Sequence, residues 1–301
     1  MVSILVHAAE QGLAYGIAAL GVFLTYRVLK FPDLTVDGSF VTGAAVASLL
    51  LIRTGIDPFS VLLIAFAAGA GAGLVTGLLN TKLGITNLLA GVLTMIMLYS
   101  INLRIMGRPN LSLLRASTAT RIVSAAWSPL GSLAVLAFML VLTLIIKFGL
   151  DYFLRTELGF ALRATGDSER MITAQGVNVN TMKLLGLALS NGLVALSGAL
   201  VAQYSGFADV GMGIGTIVTG LAAVIIGGTL IRSNRVGWMT SSVLVGSMIY
   251  RAAISLALRY GYVIGFEASD LKLITSLLVI VALVVPYLRE RRSKKVLACS
   301  H

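Results

Sequence analysis

Charge is scarce in this 301-residue chain: Asp, Glu, Lys and Arg make up only 12% of it, against 57% hydrophobic residues. Cysteine is scarcer still. The single Cys299, near the C-terminal end, excludes a disulfide framework and a cysteine-built metal site. The two histidines, His7 and His301, lie at opposite ends of the sequence, and no metal cluster is expected. No G-x-x-x-x-G-K-[ST] phosphate loop occurs, so the chain is not expected to hold ATP in the Walker manner. Nor is there a clustered nucleophile, base and orienting acid. The chain is therefore not expected to be an enzyme or to bind a cofactor itself.

What is present is apolar sequence in long runs. A hydrocarbon core of about 30 Å, at 1.5 Å per helical residue, takes about 20 residues. Nine stretches qualify, roughly 2–26, 37–53, 58–81, 86–106, 128–148, 181–204, 214–230, 238–258 and 271–288. In lipid each must be helical, because no other single segment satisfies its own backbone. The fold class expected is all-α, a polytopic transmembrane bundle forming one domain over 1–301. The run 214–230, short and glycine-flanked, either crosses or re-enters on one side. Glycine is plentiful, with 32 residues, and Gly69-x-x-x-Gly73 has the spacing of closely packed helices. The first span is expected to stay in place, since it lacks a basic n-region and carries His7, Glu10 and Gln11.

The net charge of +11 does not call for nucleic acid. The cations gather at span ends, where anionic lipid and the positive-inside rule account for them. With the basic C-terminal tail placed in the cytoplasm and nine alternating spans, the N-terminus falls outside and most of the 23 basic residues fall inside. Segment 156–180 is then cytoplasmic. It carries Glu157, Arg163, Asp167, Glu169 and Arg170, each of which would cost roughly 2.5–3.5 kcal/mol at a bilayer centre. Gly166-Asp167-Ser168 reads as a helix stop and restart, with Asp167 or Ser168 as N-cap.

Two stretches echo each other. From Leu13 and from Leu189, a helix runs into Phe31-x-Asp33 or Phe207-x-Asp209, then a glycine-bearing segment opens a new helix. The topology above sends the two copies through the membrane in opposite directions, giving an inverted repeat of about 2–106 and 181–288.

The chain resembles the permease subunits of bacterial ATP-binding-cassette (ABC) importers, in the branched-chain amino acid permease-like group. It is nearest the branch paired with tryptophan/tyrosine-type substrate-binding lipoproteins. The residues that carry the resemblance are Phe31-Pro32-Asp33-Leu34-Thr35-Val36-Asp37-Gly38-Ser39, Gly159-Phe160-Ala161-Leu162-Arg163-Ala164-Thr165-Gly166-Asp167, Gly176-Val177-Asn178-Val179, and Ala222 to Gly228. Many branched-chain permeases have an Asn-Phe-Ala-His-Gly type of motif where this chain has Asp33 to Gly38, which argues against leucine, isoleucine and valine as cargo. The resemblance implies a homodimer in the bacterial cytoplasmic membrane, two cytoplasmic ATPase subunits that hold ATP and Mg, and an extracytoplasmic substrate-binding protein. It also implies that 156–180 is a coupling helix resting on the ATPase. Ala161, Leu162 and Ala164 would give it a small apolar docking face, Arg163, Asp167, Glu169 and Arg170 the charges that orient it, and Gly159 and Gly166 complete the coupling set.

Other residues carry two readings each. Glu10, Asn87, Thr94, Ser190 and Asn191 either line a translocation pathway or bond helix to helix. Asp33, Asp37 and Asp209 either cap helix starts or gate the repeat boundary. Arg104, Arg108, Arg115 and Arg121 either receive an acidic binding protein or coat a solvated loop. The function expected is import of a small polar organic solute such as an amino acid. A gradient-driven transporter needing no ATPase is the alternative, and it would want a buried ionisable residue in mid-span.

Overall fold

The computed structural model describes residues 2–127, 133–231, 233, 235–263 and scattered positions between 273 and 284. Helix α1 (Val2–Phe23) passes into a π-turn (Leu24–Val28), in which Leu29 N–H reaches back to the Leu24 carbonyl at 2.9 Å. Lys30, with φ at +53°, and Pro32 break the run, and Asp33 accepts from Thr35 N–H at 2.9 Å to open α2 (Thr35–Arg53). Asp57 caps α3 (Pro58–Thr81), where proline occupies a first turn that needs no donor. Helix α4 (Asn87–Met106) ends on left-handed Gly107. Strand β1 (Asn110–Ser112) and α5 (Ala119–Ala126) follow, then α6 (Leu133–Arg155), α7 (Glu157–Asp167), α8 (Glu169–Ala174) and α9 (Val179–Ser205). Strand β2 (Phe207–Asp209) pairs antiparallel with β1 before α10 (Thr216–Leu230) and α11 (Val236–Val263).

Helix α9 is the centre of the bundle. Small residues let its neighbours approach to backbone contact. A Cβ on Gly43 of α2 would meet the Ala195 backbone, one on Gly73 of α3 the Leu187 carbonyl, and α9's own Gly198 lies against the Phe40 carbonyl. The Gly69-x-x-x-Gly73 spacing thus serves close packing of α3 on α9. Around this contact α9 packs against α2 and α3, while α1 packs against α10 and α11 as well as α9.

Among the described residues seven helices are long and apolar enough to cross a membrane: Val6–Val28, Thr35–Arg53, Pro58–Thr81, Asn87–Met106, Leu133–Arg155, Val179–Ser205 and Val236–Ala257. Two of the expected spans change. The run expected at 128–148 is α6, Leu133–Arg155. It extends past Lys147 because that ammonium pairs with Asp151 at 2.8 Å one turn on, so neither charge stands alone. The run at 214–230 is the 15-residue α10, about 22 Å long and too short to cross unaided. The expected span 271–288 lies largely outside the described residues.

Candidate functional site

Segment 156–180 folds as two helices clamped onto the bundle. Thr156 accepts from Gly159 N–H at 3.4 Å to begin α7, and Ser168 accepts from Met171 N–H at 3.4 Å to begin α8. The stop and restart fall where the sequence places them, with Ser168 as the cap. Asp167 instead receives Lys30 Nζ at 2.9 Å, and Glu169 pairs with Lys183 at 2.8 Å. Exposed pairs of this kind stabilise by about 0–1 kcal/mol each. The firmer anchors are apolar: Leu162 is fully buried beside Leu29 and Gly186, and Gly166 rests on the Val28 carbonyl with no room for a Cβ. The clamp therefore grips both the π-turn of α1 and the first turns of α9.

These anchors take up part of the docking face expected from sequence. Gly159, Leu162 and Thr165 fall on the inner side of α7, three residues apart, and are buried there. Ala161 and Ala164 are half-buried. The apolar side chains left outward are Leu158, Phe160 at 65% exposure and Met171 at 62%. Arg163 lies 5.4 Å from the Phe160 ring, with a buried Nε that has no hydrogen-bond partner, and Arg170 is exposed.

Both Phe-x-Asp turns close in the same way. Asp33 accepts from the N–H of Thr35, and Asp209 from the N–H of Gly211 at 2.7 Å, each two residues on. Asp37 accepts from Gly215 N–H at 3.0 Å and Ile217 N–H at 2.8 Å, capping α10 from 178 residues away. Helix α10 has no side-chain cap of its own, so its start is fixed by α2.

The five polar span residues also find partners within the chain. Asn191 donates to Asp33 at 2.7 Å and accepts from Ser39 at 2.7 Å. Ser190 donates to the Gly21 carbonyl at 2.7 Å, and Tyr204 donates to Glu10 at 2.8 Å. Asn87 accepts from Asn80 at 2.7 Å, and Thr94 donates to the Ala90 carbonyl at 3.0 Å. Of the four loop arginines, Arg121 is committed to the Leu114 carbonyl at 2.5 Å.

A family model described as branched-chain amino acid transport system / permease component matches residues 4–285. The chain belongs to that family. A tyrosine transport system permease protein from Clostridioides difficile (strain R20291) is 43% identical over 276 residues, which cover 92% of this chain and 89% of the relative. A probable branched-chain amino acid transport permease protein, LivH, from Methanocaldococcus jannaschii is 31% identical over 193 residues, 61% of this chain and 60% of the relative. Among solved structures, a chain of PsaBC from Streptococcus pneumoniae in complex with Fab matches with a TM-score of 0.50 at 16% identity. That match covers 91% of this chain and 89% of the other, and is a likeness of fold alone.

This permease is thus a multi-pass membrane subunit of an ABC-type importer, and its family is one of permease components, not catalysts. A gradient-driven transporter is not favoured. Sequence reasoning passed over one of its side chains. Arg251 lies well inside the apolar stretch Val236–Ala257, stacked 3.3 Å from the Tyr15 ring centroid. An arginine near mid-bilayer costs about 2.5–3.5 kcal/mol, and a ring face returns roughly 0.5–2 kcal/mol. The signal was available: a lone cation inside a span, with no acid three or four residues away.

Proposed function

We propose that this permease carries an amino acid inward across the bacterial cytoplasmic membrane, as a homodimer worked by two cytoplasmic ATPase subunits. Segment 156–180 would be the grip. The single observation that carries this reading is its two-sided build. Leu162 and Gly166 are wedged into the membrane helices, while Phe160 and Met171, with Leu158 beside the buried face, stay exposed to whatever docks there. Exposed apolar side chains on a segment so firmly held would suit a protein groove. ATP and Mg belong to the ATPase in this scheme, and an extracytoplasmic binding protein delivers the solute.

The motion follows from the clamp. Closure of the ATPases moves α7, and α7 can move only by taking the π-turn of α1 and the base of α9 with it. π-turns are frequent at functional sites, and this one is read as the hinge. Beyond that hinge the two halves are read as opposed copies. Their Phe-x-Asp turns close alike, α9 packs on α2 and α3 as α1 does on α10 and α11, and five long helices precede α9, which reverses its direction relative to α1 if each crosses. Rocking of one copy against the other would open the path to each side in turn, with Asp33, Asp37 and Asp209 fixing the boundary. Glu10, Asn87, Ser190 and Asn191 then serve as links of the frame, while Thr94 bonds within its own helix. The N-terminus lies outside and segment 156–180 in the cytoplasm; a C-terminal tail on the cytoplasmic side requires α10 to cross as well, packed between α1 and α11.

An amino acid is the cargo supported best, because the 43% identical relative bears the name of a tyrosine transport permease. Uptake of labelled L-tyrosine, L-leucine and L-alanine into proteoliposomes tests the scheme. With the ATPase and the binding protein present, accumulation of at least one is expected to depend on ATP. Equal flux through the permease alone would contradict it.

A further inference from the structure

Every other charge within the candidate spans has an evident role. Glu10 is held by His7 and Tyr204, Lys147 and Asp151 hold each other, Asp37 caps α10, and Lys183 meets Glu169. Arg27, Arg53, Arg104 and Arg155 stand in the last turns of their helices. Arg251 alone is an interior cation that no carboxylate pairs with among the described residues.

It also lines a cavity. A space of about 390 Å³ opens between α1, α10 and α11, walled by Tyr15, Thr216, Thr219, Tyr250 and Arg251 and reached by Ser276. The size suits a small solute. Within its wall the Arg251 Nε and the hydroxyl of Tyr250, a residue only 2% exposed, are buried without hydrogen-bond partners. Unsatisfied donors of this kind are costly to keep in a low-dielectric interior. Tyr15 offers its face to the cation, and its own ring is stacked on Phe40 at 5.4 Å, so the guanidinium is held in a fixed orientation. A planar guanidinium presents paired N–H groups that match a carboxylate.

We propose that this cavity is a station for the carboxylate of the transported solute, with Arg251 as the cation that receives it. The assignment rests on the amino-acid permease reading and narrows it. The recognised group is the one all amino acids share, so Arg251 sets the class of cargo and leaves the side chain to be chosen elsewhere. When the solute has left, the Tyr15 ring still faces the guanidinium, so the empty station does not collapse around a bare charge.

Equilibrium binding to the full-length permease in nanodiscs tests this, using labelled L-tyrosine, L-leucine and L-alanine against tyramine, 3-methylbutylamine and ethylamine, their decarboxylated counterparts. At least one acid is expected to bind ten-fold or more tightly than its amine. Arg251→Gln is expected to erase that ratio and Arg251→Lys to keep part of it, with unchanged size-exclusion elution marking intact folding. Acid and amine held equally by the natural protein, or a ratio preserved in Arg251→Gln, would overturn the proposal, as would no binding of any probe. ATP-driven uptake in proteoliposomes separates the two readings. A complex that transports an amino acid without acid-over-amine preference refutes the station alone, and one that transports none refutes the cargo on which it rests.

Discussion

Lys147 and Asp151 stand one turn apart in α6, both largely buried, and Thr240 of α11 donates to the same carboxylate at 2.5 Å. Removing one partner strands the other, which in buried pairs costs about 3–5 kcal/mol, whereas replacing both with apolar residues is often neutral. Asp151→Ala should therefore lower the thermal unfolding midpoint of the detergent-solubilised permease by several degrees, and Lys147→Met/Asp151→Leu should recover most of the loss. A single variant as stable as the parent would show that the pair carries no such weight. Asn191 makes the same point about reading residues in isolation. Its place in a span marks it as a pathway candidate, yet its amide joins Asp33, Ser39 and the Leu187 carbonyl in one network. Asn191→Leu leaves the Asp33 carboxylate short of a donor, an effect of about 1–3 kcal/mol. Partners up to 158 residues apart are not written in local spacing. What sequence does show is that a polar group in lipid needs a partner.

Helix α3 meets α9 through Gly69, set against the Ala195 methyl and the Asn191 carbonyl, and Gly73, set against the Leu187 carbonyl. Gly73→Val would drive the helices apart, and overpacking of that kind typically costs about 1–3 kcal/mol. A lowered unfolding midpoint with the far side of α3 unchanged is the expected outcome, and full tolerance of valine would contradict the close approach. Most elements were legible because each apolar run has the length of a bilayer crossing and ends at Pro, Gly or a capping acid, as α3 does at Asp57-Pro58 and α4 at Gly107. The exceptions have physical causes. The limits of α6 were obscured because Lys147 and Asp151 cancel only once the helix has formed. The start of α10 depends on a cap supplied by α2. On α7 the Ala161-Leu162 and Ala164 face reads as a docking surface, but apolar residues also serve internal packing, and Leu162 is used that way against Gly186, as Gly166 is against Val28. For the same reason Gly166→Pro or Gly166→Ala would disturb the fold together with any coupling, which makes the outward Phe160 the cleaner site to alter.

Across the whole molecule, the helices that meet at α9 are joined to the outward face of α7 and α8 through one clamp, Leu162 and Gly166. Loss of that outward face should uncouple without unfolding. Phe160→Ala/Met171→Ala is expected to cut ATP-driven uptake at least ten-fold with little change in the unfolding midpoint, since both side chains are exposed. The most direct test places a photo-cross-linking side chain at Phe160 in membranes that contain the partner ATPase. The expected result is an adduct of permease with ATPase whose yield changes when ATP is added. An adduct confined to lipid, or labelling of that position by a membrane-impermeant reagent added outside intact cells, would contradict it.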